Sequence, residues 1–450
     1  LPSDPHPLDV GLLSPVSAGH DAAVSDAAVL DALVAAEVAL VRALASVGAA
    51  PAEVADDVSS ALGWTGAGEG CRGHGLDAAD LAGAAVAAGN PVVALAGMLR
   101  QRVPEAARPW VHRGATSQDI LDNALMLVAR SAADRVRDDL DRVEAALTAL
   151  AAANRDVVAA ARTLTQHAVP TTVGARAAGW VRGIRRAIVR LDAARAELPV
   201  QLGGAAGTLA AFVADLGAER AAELPGAYAA ELGLRPTDAP WHTERWPVTE
   251  LGDALVQAID AVGVFATDVA TLTRTEIGEV SEAAGGGSSA MPQKANPVSS
   301  VLIRSAALRA PQLGATLHLA AALAVDERPD GAWHAEWPTL RELLRLALGA
   351  SAHTASLAAG LTVDREAVAR NLALTDGLVV SERLGIVLVP LIGRERFTAL
   401  IRQAADTDLA DLVRALPEAS GLDVDDLLDP ARYTGFATTF VDRLGEGENR

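Results

Sequence analysis

Lys294 stands apart from every other cation in this 450-residue sequence: of 38 basic side chains it is the single lysine, and the other 37 are arginines. Arginine serves wherever an exposed positive charge is enough. A lone ammonium therefore marks a place where a compact, rotatable point charge is wanted and a planar guanidinium does not fit; the plainer alternative is a chance leftover in an arginine-biased chain. Lys294 lies in GGGSSAMPQKANP, Gly285 to Pro297. Three glycines, two serines and two prolines rule out a helix interior, so the segment is a polar loop. Hydroxyls at Ser288 and Ser289, an amide at Asn296 and the ammonium give it the composition of a lid over an anion, a surface linker being the alternative. The GxxxxGK[ST] spacing of a phosphate cradle is absent.

The elements that must carry this loop are helical. Alanine, leucine, arginine and glutamate dominate, aromatics are 3%, and no run sustains period-two alternation. Between Ala115 and Val169 there is neither glycine nor proline, and Leu121, Leu125, Val128, Ala132, Val136, Leu140, Val143, Leu147 and Leu150 draw one apolar stripe at spacings of three and four. A helix that long belongs in an extended bundle whose members share a core. Further helical stretches are predicted over 175–198, 251–282, 298–325 and 340–359. Thr362-Val363-Asp364-Arg365-Glu366 has the cap and acidic first turn of a helix opening a smaller domain. The expected organisation is all-α in three domains: 1–110, a long-helix bundle over 111–360, and 361–450.

Length and 50% hydrophobic content exclude disorder, and a net charge of -19 disfavours nucleic acid as a partner. Cys71 is the only cysteine, which excludes a disulfide scaffold and fits a reducing cytoplasm. The apolar stretch 81–99 is broken by Gly89-Asn90-Pro91, and LPSDPHPLDV lacks the basic start of a secretion signal, so neither a membrane nor export is expected. The histidines lack metal-ligand spacing, and no metal or cofactor is expected. Glu276, Glu279 and Glu282 recur at helical spacing before the loop; a solvated helix face is their default role, orientation of an arginine the alternative.

The loop resembles the GSSxMPxKxNP signature of the fumarase/aspartase superfamily. HRGATSQDILDNA, His112 to Ala124, is similar to that family's first substrate-binding segment, and RTLTQHAVPTTVGARAAGW, Arg162 to Trp180, to its second. GGAAGT from Gly203, DERPDGAWHAEW from Asp326 and GLLSPV near the start most resemble the bacterial branch that cyclises 3-carboxy-cis,cis-muconate. The resemblance implies a homotetramer with a twenty-helix core, in which three segments from three subunits complete each active site. It implies Ser288 as acid or base and Lys294 and Asn296 as carboxylate-holding groups. It further implies Thr116 and Ser117 as a second anion-binding pair, with Gln166 and Ser289 beside them. Water or His112 is the other candidate for the proton. Where other branches carry a paired histidine and glutamate this sequence has Leu164 and Val301, so no such charged relay operates; His167 substitutes only with a rotated backbone.

The expected reaction is therefore cyclisation of 3-carboxy-cis,cis-muconate to a carboxymuconolactone. There the substrate's own carboxylate is the nucleophile, and the protein has only to stabilise enolate-like charge and supply one proton. A polycarboxylate approaching a chain of charge -19 needs local cations, and Arg113, Arg245, Lys294 and Arg328 are the candidates. Trp241, Trp246, Trp333 and Trp337 flank two of these arginines as water-excluding walls, or else as core packing beside surface ion pairs. One departure favours an alternative. Gln293 and Ala295 replace the histidine and arginine that cyclising relatives carry beside the lysine, which points to a C–N lyase releasing fumarate from a substituted succinate.

Overall fold

The computed structural model describes residues 9–283, 286–287, 291 and 294–445. Helix dominates, as composition requires. Five helices, Ser117–Ala153, Val173–Ala196, Trp246–Leu272, Val298–Ala322 and Gly331–Gly360, run from 24 to 37 residues. The chain divides into two compact units whose boundaries fall inside these five helices. The first comprises Leu1–Asp139, Ala187–Asp260 and Ser305–Ala352, and the second Leu140–Arg186, Ala261–Arg304 and His353–Arg450.

The apolar stripe read from the sequence is buried. Leu121, Leu125, Val128, Ala132 and Val136 pack inside the first unit, and Leu140, Val143 and Leu147 continue the spacing in the second. The helix nevertheless ends at Ala153, well before the next proline. Beyond it Val158–Thr163 and Gln166–Thr172 form an antiparallel hairpin, where a helix was expected to run on. The valines and threonines of this stretch prefer a pleated backbone, and that preference wins once the leucine stripe stops. Leu164 and Thr165 form its two-residue turn with φ of 48° and 70°, values that hairpin turns usually assign to Asn-Gly.

The helix expected over 251–282 runs instead from Trp246 to Leu272. Gly278 at φ 62° turns the chain, and Val280–Ser281 then pairs with Thr362–Val363. Glu276, Glu279 and Glu282 are thus not a helix face. Asp364 caps the helix Arg365–Leu372 through Ala367 N at 2.9 Å, as its sequence suggests, and Val380, Leu384, Leu388 and Val413 centre a C-terminal core. Trp246–Leu272 is long and apolar enough to cross a bilayer by length and composition, but half of that apolar window is buried and Asp253, Asp260 and Asp268 lie along the helix. Lipid would strand those carboxylates; here Asp268 accepts from Trp180 Nε1 at 2.7 Å.

A charge cluster is sealed in the first unit. Arg245, with a fully buried side chain, donates from Nη1 to Asp122 at 2.7 Å and from Nη2 to Glu336 at 2.6 Å, and stacks 4.6 Å from the Trp241 ring. Trp333, 3% exposed, donates from Nε1 to Asp122 at 2.9 Å. Burial works against the guanidinium, but the two carboxylates outweigh it and hold the Arg245 proton more firmly than usual. Burial, joined by Asp122, outweighs Arg245 at Glu336 and raises that carboxyl's pKa. The expectation that Arg245 grips substrate and that Trp333 walls the pocket is corrected here: every donor of Arg245 is spent on protein acceptors.

Two stability predictions follow from this packing. Arg245→Met strands two buried carboxylates and should cost about 3–5 kcal/mol of unfolding free energy, measured by denaturant titration; a ligand-gripping arginine would instead leave stability unchanged. At Gly349 a Cβ would meet the Val16 carbonyl oxygen at 2.0 Å. Alanine there gains about 1 kcal/mol of helix propensity against an overpacking cost at the upper end of roughly 1–3 kcal/mol, so Gly349→Ala should lower the thermal midpoint.

Candidate active site

The turn before the long helix Ser117–Ala153 is built around Asp119. Its carboxylate accepts from Thr116 N at 2.9 Å, Gly203 N at 2.8 Å and Gly204 N at 2.9 Å, and meets His242 Nε2 at 3.0 Å. A carboxylate in the first turn of a helix also suits the positive end of the helix dipole. One buried side chain therefore draws HRGATS against GGAAGT. Asn123 reinforces the join: its amide donates to Gln201 O at 2.7 Å and its carbonyl accepts from Gln201 N at 2.9 Å. At Gly203 a Cβ would stand 2.8 Å from the His242 ring and 2.9 Å from Pro240, so only glycine lets the two loops approach.

Arg328 reaches this join. Its Nη2 donates to the Thr116 hydroxyl and, at 3.1 Å, to Ala205 O, while its buried Nε has no partner among the described residues. Thr116 and Ser117 are half-buried at the helix start. A hydroxyl pair, a helix N-terminus and a guanidinium are thus brought together, a combination of groups whose chemistry suits an anion. His112, at φ 59°, sits at the head of the same loop with Nδ1 2.7 Å from Glu37 Oε1. Arg113 is turned to Asp215 in a two-point ion pair at 2.7 Å and stacks 4.6 Å from the Trp110 ring. These residues all belong to the first unit; Arg113 and Arg245 are already committed to carboxylates of the chain itself.

The remaining candidates belong to the second unit. Gln166 is exposed beside the hairpin turn and His167 half-buried. Burial, with the charge of Arg162, depresses the His167 pKa. Leu164 is 96% and Val301 53% exposed, so the positions that hold a histidine–glutamate pair elsewhere are not core hydrophobics. Lys294 is exposed, its backbone N donating to Met291 O at 3.0 Å, and Asn296 pairs with Gly286 in a short antiparallel ladder. Ser288 and Ser289 lie outside the described residues. The loop's base is held by Glu282, which accepts from Ser299 N and Ser300 N at 3.1 Å each and from the Ser300 hydroxyl at 2.5 Å.

Glu279 does orient arginines. Only 1% exposed, it accepts from Arg162 at 2.5 Å, from Arg176 at 3.4 Å and from Asn371 at 3.0 Å. Burial alone would raise its pKa; the hydrogen bonds of Arg162 and Asn371 and the two positive charges override that and lower it. The residues that sequence reasoning missed are Asp119, Asp122, Glu37 and the Gly203–Gly204 pair as a hydrogen-bonding partner. Asp119 carried one usable signal, an acid in the first turn of an obvious helix. Its partners Gly203, Gly204 and His242 are more than eighty residues away and carried none.

A family model described as a lyase matches residues 18–311. Nitrosuccinate lyase of Streptomyces davaonensis is 48% identical across 98% of this chain and 96% of its own length. The 3-carboxy-cis,cis-muconate cycloisomerase of Pseudomonas aeruginosa is 40% identical across 94% and 92%. The crystal structure of the 3-carboxy-cis,cis-muconate lactonizing enzyme from Pseudomonas putida superposes with a TM-score of 0.83 at 37% identity, covering 94% of each chain. The expected all-α fold is the fold of this family. The expected cyclisation is corrected: identity is 48% to the nitrosuccinate lyase against 40% to the Pseudomonas aeruginosa cycloisomerase. This chain belongs to the lyase family of the fumarase/aspartase superfamily, as an enzyme of that superfamily.

Proposed function

We propose that this enzyme is a C–N lyase that releases fumarate from a substituted succinate, with 2-nitrosuccinate as the first candidate substrate. The observation that carries the reading is 48% identity to nitrosuccinate lyase over nearly the whole chain, eight points above the 40% to the Pseudomonas aeruginosa cycloisomerase. The loop supports it: a tricarboxylate would benefit from a cation and an ionisable ring beside Lys294, and Gln293 and Ala295 supply neither.

In this reaction the C3 proton passes to a base, and its electron pair delocalises into the adjacent carboxylate as an enolate-like dianion. The pair then forms the C2–C3 double bond while the C2–N bond breaks and its electrons leave with nitrogen as nitrite. Ser288 is the candidate base, with water as the other acceptor. Lys294 and Asn296 hold the carboxylate on which charge builds, where preorganised donors contribute most. Thr116, Ser117 and Arg328 hold the second carboxylate, with Gln166 and Ser289 completing the pocket and His167 at its margin. Arg113 contributes only if it leaves Asp215. Each site is shared among subunits of a homotetramer in the cytoplasm, the chain organised as 1–110, 111–360 and 361–450.

Incubation with 2-nitrosuccinate should yield fumarate and nitrite in equal amounts, followed by ultraviolet absorbance and a nitrite assay, while the diene absorbance of 3-carboxy-cis,cis-muconate stays constant. Absence of nitrite overturns the reading. Lys294→Arg keeps the charge but not the compact donor, and kcat should fall by about a hundredfold with the fold intact. Equal turnover by parent and variant would show that the ammonium has no special task.

A further inference from the structure

The helix Asp26–Ser46 buries thirteen residues, and the one charged residue among them is Glu37, 1% exposed. A carboxylate in the middle of LVAAEVALV is out of place unless something requires it. Its Oε1 is 2.7 Å from His112 Nδ1, while Oε2 is enclosed with no hydrogen-bond partner among the described residues. Tyr228, also fully buried nearby, donates its hydroxyl to the Ala36 carbonyl instead. His112 for its part is held at φ 59°, a region that side chains with a β-carbon avoid. Both halves of the pair are thus kept against local preference, which is where functional constraint is found. The other ring nitrogen, Nε2, has no partner among the described residues, and 18% of the side chain is exposed. His112 stands four residues before Thr116, at the head of the loop that Asp119 and Arg328 fix.

We propose that Glu37 is a positioning residue that keeps His112 as a lasting imidazolium, with Nε2–H offered to the anionic group that departs from the substrate. The inference rests on the elimination reading above. Nitrite is a weak base and leaves as an anion, so the site has to supply it with a fixed positive donor and no transferable proton; an imidazolium locked to a buried carboxylate is that donor. The proton lost from carbon goes to a separate base, and His112 ends the cycle with both of its own.

The charges around the ring agree. Burial opposes the imidazolium, and Arg100 from the helix Val92–Arg102 opposes it too. The hydrogen bond and charge of Glu37, with Asp119 from the long helix, overcome both and raise the His112 pKa. Tyr228, which faces Glu37, stays a neutral phenol because burial and the charges of Glu37 and Asp119 push its pKa well up. A raised histidine pKa means that the charged form is complete at low pH and is lost as pH rises through the shifted value. Glu37→Gln removes the counter-charge and should move that value down.

The test is ring-selective NMR titration of His112 in the wild type and in Glu37→Gln, with nitrite as the probe anion and the signal assigned through His112→Asn. His112 should titrate above the ordinary imidazole range in the wild type and about one unit lower in Glu37→Gln. Nitrite binding at pH 8 should then weaken by about tenfold in the variant, with a much smaller loss at pH 6. Identical titrations in the two proteins overturn the inference, as does nitrite binding that ignores the substitution. Should Glu37→Gln fail to fold, a wild-type ring that titrates at or below the ordinary range overturns it equally. The titration and the nitrite arm need no turnover, so a chain that shows both effects yet leaves 2-nitrosuccinate intact overturns the functional reading and supports the Glu37–His112 pair.

Discussion

The first unit depends on one carboxylate. Asp119 takes three backbone N–H groups and one imidazole nitrogen, and by doing so holds a helix start and a double-glycine loop in one arrangement. The Gly203 and Gly204 donors would otherwise be unpaired polar groups in a buried place, which couples the two loops tightly. Thr116 and Arg328 meet where Asp119 has already closed the loops. The same residue contributes charge to the surroundings of His112, so loop geometry and site electrostatics share one origin.

The alanine-rich interiors carry buried ions: Arg245 with Asp122 and Glu336 and Glu37 with His112 in the first unit, and Glu279 with Arg162 and Arg176 in the second. Small side chains give helices that pack closely but define few unique contacts. Planar guanidinium forks supply the directionality that methyl groups do not, which is consistent with 37 arginines against one lysine. Such clusters add little net stability, since desolvation offsets attraction, yet breaking one partner is expensive. They fix geometry, and an active site that must hold several anionic groups needs geometry fixed before the ligand arrives.

Cyclisation and C–N elimination both pass through negative charge on a carbon beside a carboxylate, and a receptor built for one intermediate is close to a receptor for the other. What separates the reactions is the fate of the second group: a carboxylate that adds, or a nitrogen anion that departs. On the elimination proposed above, the residues that distinguish the two reactions are those that meet that group, with the Glu37–His112 pair the candidate.

Periodicity alone determined the long helices, because a leucine stripe at spacings of three and four has no other low-energy solution, and the glycines and prolines of 285–297 marked where that periodicity breaks off before Val298–Ala322. Local preference also exposed Asp364 as a cap. The hairpin at 158–172 was not legible, since the absence of glycine and proline says only that a helix is permitted, and cross-strand pairing decided otherwise. Arg245 and Trp333 looked like ligand contacts by type and neighbourhood; only the fold revealed that Asp122 and Glu336 consume them. Asp119 and Glu37 acquire their roles from partners 84 and 75 residues away. Chain sequence encodes such pairs without displaying them, because a hydrogen bond depends on distance in space, which only the packed tertiary structure sets.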